Sequence, residues 1–286
     1  MGVRETLRWA KGEWGIIAKR DDMSPREMAR WVAQWVPFGA RTAAYGTVSL
    51  TLGPLTSERA ASTWAMKAWS RASLDALDVA ANLEGAAHVP TGGVLYASNH
   101  QSLLDILVLG ALLPGDLKWA AKRSLMSIPF LGWHLRLAGH VPVDRRAGRR
   151  AAAAVIERFE AVLRDDKPLL VFPEGTRSED GAVKPFKSGG FYAAVRAGRP
   201  VVPVALDGTH RLMDKHAADS GDRREGGRRV LVAIGAPIHP ESEGKERARV
   251  ERLRDATQET VEAMHRELRA RLEGPGRRAP GGFGGA

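Results

Sequence analysis

The chain contains no cysteine. That absence removes disulfides, thiolate metal sites and cysteine nucleophiles, and it fits a reducing compartment without requiring one. Long apolar runs are missing too. The longest uncharged N-terminal stretch, residues 42–57, contains Gly46, Gly53 and Pro54, and it falls short of the ~20 residues a spanning helix needs. Arg4, Glu5, Arg8, Lys11 and Glu13 interrupt any apolar core of a signal peptide. The sequence also has no P-loop, no dinucleotide fingerprint, no metal-ligand cluster and no G-x-S-x-G elbow. A serine hydrolase therefore lacks its nucleophile, and no cofactor is expected.

Acidic residues are in deficit: 33 Asp and Glu against 43 Lys and Arg leave a net charge of +10. Such an excess calls for an anionic partner, either nucleic acid or a phospholipid surface. The tryptophans help to choose. All eight lie at or before Trp133, with Trp9, Trp14, Trp31, Trp35, Trp64 and Trp69 in the first seventy residues. Trp beside Lys and Arg suits a membrane–water interface, where the ring sits at headgroup depth. Packing of N-terminal helices onto the core is the alternative. The expectation is a protein that lies on an anionic membrane surface rather than through it, with no nucleic acid; the alternative is a non-catalytic membrane- or nucleic-acid-binding module.

Hydrophobic residues make up 44% of the 286 positions, enough for one large core or two modest ones. Residues 1–75 read as a helical segment with breaks near Asp21-Asp22, Pro37 and Gly53-Pro54. Strands are expected at 76–83, 94–98, 118–121, 140–144, 169–172, 201–206 and 229–234, and helices at 103–113, 148–164 and 191–197. This alternation predicts an α/β fold, a largely parallel central sheet flanked by helices, with an N-terminal helical membrane-docking segment. The sheet domain is placed at 76–240 and a C-terminal helix at 241–273. Residues 214–227 read as an exposed loop, and the Gly/Pro-rich 274–286 as a disordered tail.

Two short stretches carry chemistry. Phe172-Pro173-Glu174-Gly175-Thr176-Arg177-Ser178 follows the apolar run Leu169-Leu170-Val171, so it sits at a strand's C-terminal end, where open α/β sheets place ligands. Arg177 suits phosphate, Glu174 suits hydroxyls and Gly175 permits close backbone approach. Alternatively, Glu174 and Arg177 merely pair with each other across a turn. Earlier in the chain, His100 and Asp105 lie where a strand hands over to a helix. His100 could act as a general base with Asp105 supporting its other ring nitrogen. Five helical residues turn through about 500°, so the pair requires His100 in the turn and Asp105 in the first helical turn. Ser102 to Asp105 is also S-x-x-D, a capping-box variant, and the spacing alone favours the cap.

Taken together, the two stretches resemble the PlsC-type glycerophospholipid acyltransferases, the lysophosphatidate acyltransferases. Further blocks extend the likeness over about residues 75–240: Gly139-His140-Val141-Pro142-Val143-Asp144-Arg145, Lys122-x-x-Leu125 with Pro129 and Gly132, Phe186-Lys187-x-Gly189, and Val201-Val202-Pro203-Val204-Ala205. His140 and Pro142 depart from the aromatic or aliphatic residues commoner in that family. The resemblance implies transfer of an acyl group from acyl-CoA or acyl carrier protein to the free hydroxyl of lysophosphatidate, with glycerol 3-phosphate, a lyso-ornithine lipid or a lysophospholipid as alternative acceptors. It implies His100 as base, supported by Asp105. Lys122, Arg145 and Arg177 would hold the phosphate and Glu174 a hydroxyl, with Gly175, Thr176 and Ser178 completing the binding block. Backbone N–H groups around Gly175 would stabilise the oxyanion, and the strand around Pro203 would shape an acyl tunnel. The implied location is the cytoplasmic face of the membrane, peripheral or monotopic.

Overall fold

The computed structural model describes residues 24–144, 148–213 and 228–274. Trp9, Trp14, Asp21-Asp22, Arg145, the loop at 214–227 and the tail beyond Gly274 lie outside the described residues.

Seven strands form one sheet: β1 (Ala80–Glu84), β2 (Leu95–Ser98), β3 (Lys118–Lys122), β4 (Val141–Val143), β5 (Leu169–Val171), β6 (Val201–Asp207) and β7 (Arg229–Ile234). Their order is β1-β7-β6-β2-β5-β3-β4. Every neighbouring pair is parallel except β6 and β7. The three central strands β2, β5 and β6 are buried along their whole length. They read as unbroken apolar runs because helices cover both faces. Side chains alternate between those faces. Tyr96, Leu170 and Val202 join the core on one side, whereas Leu95, Ala97, Leu169 and Val171 join the other. Pro203 is tolerated inside β6 because the ladder to β7 begins one residue later, at Val204.

The helices are α1 (Pro25–Leu52), α2 (Ala60–Ala76), α3 (Leu104–Leu112), α4 (Leu131–Leu137), α5 (Arg149–Arg164), α6 (Gly189–Ala197), α7 (Thr209–Leu212) and α8 (Glu246–Glu273). Two sequence expectations are corrected. The first strand starts at Ala80, not 76, because α2 continues to Ala76. Its buried residues Ser62, Ala65, Trp69, Ser73 and Leu74 recur at helical spacing. The second correction concerns α1, which runs through Pro37 without ending there. An interior proline costs about 3 kcal/mol, but packing on either side of it holds the helix. Phe38 meets Trp35 and Trp69, each at 5.6 Å between ring centres, and Trp69 Nε1 donates to Thr42 Oγ1 at 3.1 Å. The break expected at Gly53-Pro54 is present.

The described tryptophans divide between core and surface. Trp69 and Trp119 sit in the core, while Trp64 and Trp133 are 57% and 47% exposed. Val32, Val36, Leu52 and Leu55 are also exposed, Leu55 by 80%. Val32 and Val36 are four residues apart on α1 and so share a face. No helix among the described residues is long and apolar enough to cross a membrane.

Candidate active site

Because β2, β5, β3 and β6 run parallel, their C-terminal ends lie on one edge of the sheet. The chain leaving β2 supplies Asn99 and His100. Leaving β5 it supplies Phe172 to Ser178, and leaving β6 it supplies Gly208 and Thr209. Lys122 ends β3 on the same edge, half-buried. One pairing direction thus gathers residues more than a hundred positions apart.

Asn99 fixes the exit of β2. Its Nδ2 donates to Leu206 O and its Oδ1 accepts from Leu206 N–H, both at 2.9 Å. The carboxamide continues the ladder to β6 as a peptide group would. His100 then stands outside the helix, and Asp105 lies in the first turn of α3. His100 Nδ1–H donates to Asp105 Oδ2 at 2.8 Å. The same oxygen accepts from Gln101 N–H at 2.6 Å and Ser102 N–H at 2.9 Å. The second of these is one half of a capping box, in which the acidic residue reaches back to the N-cap backbone. The cap and the dyad are therefore one arrangement. Asp105 caps the helix and, by doing so, is held still for His100.

The two motifs meet directly. Phe172 stacks on the His100 ring at 4.0 Å and 13°. Glu174 Oε1 accepts from His100 N–H at 3.0 Å, and Ser178 N–H donates to His100 O at 2.7 Å. The imidazole is gripped by its plane, its ring nitrogen and both backbone polar groups. With Nδ1–H given to Asp105, Nε2 is the basic nitrogen of the neutral ring.

Glu174 does not pair with Arg177. It is 3% exposed, and its Oε2 has no hydrogen-bond partner among the described residues. Burial pushes its carboxyl up to about 8, against the lowering effect of the backbone bond from His100. Gly175 needs its glycine: φ is +72°, and an added Cβ would lie 2.6 Å from Lys187 Nζ. The Gly175 N–H is already committed to Phe172 O at 3.0 Å, so it is not a spare donor. Thr176 is exposed, and Arg177 is partly buried. Ser178 is buried, with its hydroxyl donating to Asp180 Oδ1 at 2.8 Å. Lys184 Nζ donates to Arg177 O at 3.1 Å and Lys187 N–H to Pro173 O at 2.9 Å, which ties the block to the segment after it.

Beneath the dyad lies a buried polar layer that sequence reasoning did not find. Gln101 Nε2 donates to Gly181 O and Asp207 Oδ1, each at 2.8 Å, and lies 3.0 Å from His265 Nε2 of α8, whose N–H faces the same Asp207 oxygen at 3.3 Å. Burial would raise the Asp207 carboxyl, but the hydrogen bonds from His265 and Gln101 outweigh it and hold the group near 2. The other buried histidines, His134 and His140, lie towards the opposite end of the sheet. His140 precedes β4, and its Nδ1 accepts from Trp119 N–H at 3.0 Å. Burial pushes His134 down to about 4 and His140 well below its ordinary value, so both are neutral near pH 7. His140 thus departs from the family pattern as a buried structural ring.

Two cavities open between α1, α2, α3, β3 and α4, lined by residues that include Met66, Trp69, Trp119 and His134; neither is lined by β6. Among the described residues no group of three His, Asp or Glu is placed to hold a metal.

A largely parallel sheet carrying a buried His–Asp pair at its C-terminal edge, beside a glycine turn that holds Arg177, defines an α/β protein with its candidate site at that edge. Comparison with known proteins sharpens that class. An acyltransferase family model, described as Acyltransferase, matches residues 80–207. The 1-acyl-sn-glycerol-3-phosphate acyltransferase alpha of Ovis aries is 33% identical over 207 residues, covering 71% of this chain and 70% of that protein. The 1-acyl-sn-glycerol-3-phosphate acyltransferase of Pseudomonas aeruginosa is 28% identical, covering 78% and 85%. A chloroplast relative from Arabidopsis thaliana is 36% identical over 55% of this chain, which spans only 43% of that longer protein. The crystal structure of the 1-acyl-sn-glycerophosphate acyltransferase PlsC from Thermotoga maritima superposes with a TM-score of 0.70 at 26% identity, covering 86% of this chain and 97% of that one. The chain belongs to the acyltransferase family that includes these enzymes.

Proposed function

We propose that this chain acylates the free hydroxyl of 1-acylglycerol 3-phosphate, giving phosphatidate, with acyl-CoA or acyl carrier protein as donor. The observation that carries the reading is the His100–Asp105 bond at 2.8 Å with the His100 backbone clamped to the 172–178 block. His100 Nε2 removes the acceptor's hydroxyl proton as the oxygen attacks the thioester carbonyl carbon. The tetrahedral oxyanion collapses, the C–S bond breaks, and the thiolate leaves with the proton His100 returns. Asp105 orients the ring and supports the imidazolium. Thr176 N–H, unlike that of Gly175, has no partner among the described residues and is the better oxyanion donor.

Arg177, Lys122 and Arg145 hold the acceptor phosphate, the last from outside the described residues. Glu174 contributes in a form that burial dictates. Protonated at pH 7, it accepts from His100 N–H on Oε1 and donates from Oε2 to a glycerol or phosphate oxygen. A neutral acid there avoids repelling the phosphate beside it.

The proposed place of action is the cytoplasmic face of an anionic membrane; exposed Val32, Val36, Leu52, Leu55, Trp64 and Trp133 support docking on a membrane surface. Each such side chain contributes about 1.5–3 kcal/mol when buried. Joint replacement of Leu55→Glu and Trp64→Glu is expected to weaken binding to vesicles containing anionic phospholipid by more than about tenfold. Unchanged partitioning in a sedimentation assay would remove these residues from the docking face.

The acceptor is tested by transfer from radiolabelled acyl-CoA, and then acyl carrier protein, to lysophosphatidate, glycerol 3-phosphate and neutral or zwitterionic lyso-lipids. Labelled phosphatidate should dominate. Preference for an acceptor without the phosphomonoester would keep the chemistry and reject lysophosphatidate as the substrate.

A further inference from the structure

The Asp105 carboxylate has two oxygens, and the dyad with its cap accounts for only Oδ2. Its Oδ1 accepts from Thr209 Oγ1 at 2.5 Å. Both residues are fully buried, and they stand 104 positions apart in the sequence. Thr209 is brought there by Gly208, which leaves β6 at φ +110° and turns the chain back over the sheet edge. A Cβ on Gly208 would meet Arg229 O at 2.5 Å, so this reversal requires glycine.

A hydroxyl has one proton to give, and Thr209 has two acceptors in reach: Asp105 Oδ1 at 2.5 Å and Gln101 Oε1 at 3.3 Å. Gln101 Oε1 is also 3.2 Å from His210 Nδ1, a donor in one of its tautomers. With His210 serving the amide, the threonine proton goes to the carboxylate, the closer acceptor. A carboxylate turns softly about Cβ–Cγ. Three donors converging on one oxygen leave that rotation opposed mainly at Oδ2, and Thr209 pins the other end. Its effect is to hold Oδ2 against His100 Nδ1.

We infer that Thr209 is a positioning residue for the acyl transfer, acting on His100 through Asp105. This rests on the proposed base role of His100. Groups facing the carboxylate are His100 from the β2 loop, Glu174 from the β5 loop and, through Gln101, Asp207, His210 and His265 from β6, α7 and α8. Losing the hydroxyl removes the donor that pins Asp105 Oδ1. The carboxylate is then free to turn away from His100 Nδ1 and supports the imidazolium less, so the His100 titration moves to lower pH.

Thr209→Val preserves shape and removes the donor, and Thr209→Ser restores the hydroxyl. Two readouts separate this idea from the reaction on which it rests. The first is kcat and KM against pH with whichever acceptor the wild type acylates. The second is the His100 ring titration followed by NMR, assigned with His100→Ala, which needs no substrate. Thr209→Val should lower kcat about tenfold, a part of the 10²–10⁴ that a positioned base supplies. KM should change less than about twofold, the acid limb and the NMR titration should move down together, and Thr209→Ser should recover most of each. An unmoved His100 titration in a folded Thr209→Val protein would overturn the inference whether or not any acceptor is acylated. So would a loss confined to KM, or one that Thr209→Ser fails to restore.

Discussion

His100→Ala is expected to lower kcat for acyl transfer by about 10²–10⁴-fold while leaving KM for the thioester within a few-fold. The ring is held by Asp105 and Phe172, and its backbone by Glu174 and Ser178. The backbone contacts survive truncation, so the loop should stay in place and the loss should be chemical. Asp105→Asn offers a graded comparison. An amide can still accept from the backbone N–H groups of Gln101 and Ser102, but it no longer supports an imidazolium. It should fall between wild type and His100→Ala. Equal thermal stability with lost turnover identifies the base. A matching loss of stability would mean that His100 serves the fold instead.

A second large effect is expected at Glu174, and it appears in stability rather than rate. Its carboxyl titrates near 8 when folded against an ordinary value of 4.5. Because the folded value is raised, the folded state binds more protons than the unfolded state between those limits. Stability is therefore complete below about pH 4.5 and declines as pH rises towards 8. At 1.36 kcal/mol per unit, the loss is on the order of 5 kcal/mol at most. Glu174→Gln keeps the acceptor for His100 N–H and cannot ionise. The variant should match wild type near pH 5 and exceed it in melting temperature by an increasing margin up to pH 8. A constant difference across that range would show that Glu174 is ionised in the folded state, removing the neutral donor proposed for it.

The sheet was legible because its strands are short apolar runs that end in turn residues. All seven expected segments carry a strand, and the central three are the most uniformly apolar. What failed was local. Pro37 reads as a helix end, yet Trp35, Phe38 and Trp69 hold the helix through it. The site was legible only where chemistry is contiguous. Glu174 and Arg177 could be read as a mutual pair, but Glu174 turns to the His100 backbone, a contact between strands that spacing does not encode. Ser102 to Asp105 posed cap against dyad as rivals, and one carboxylate oxygen serves both. Asn99 carried a faint signal, a carboxamide immediately after a buried strand. Gln101, Asp207, Thr209 and His265 carried none, because only the parallel pairing of β2 with β6 and the packing of α8 on β6 bring their elements together.

The central claim is that the acyl group passes straight from thioester to acceptor with His100 as base. Initial rates with acyl donor and lysophosphatidate both varied test it most directly. Direct attack requires both substrates to be bound together, so double-reciprocal plots should intersect, and no label from the acyl donor should remain on the protein after denaturation. Parallel lines with labelled protein would mean an acyl-enzyme and would contradict the account.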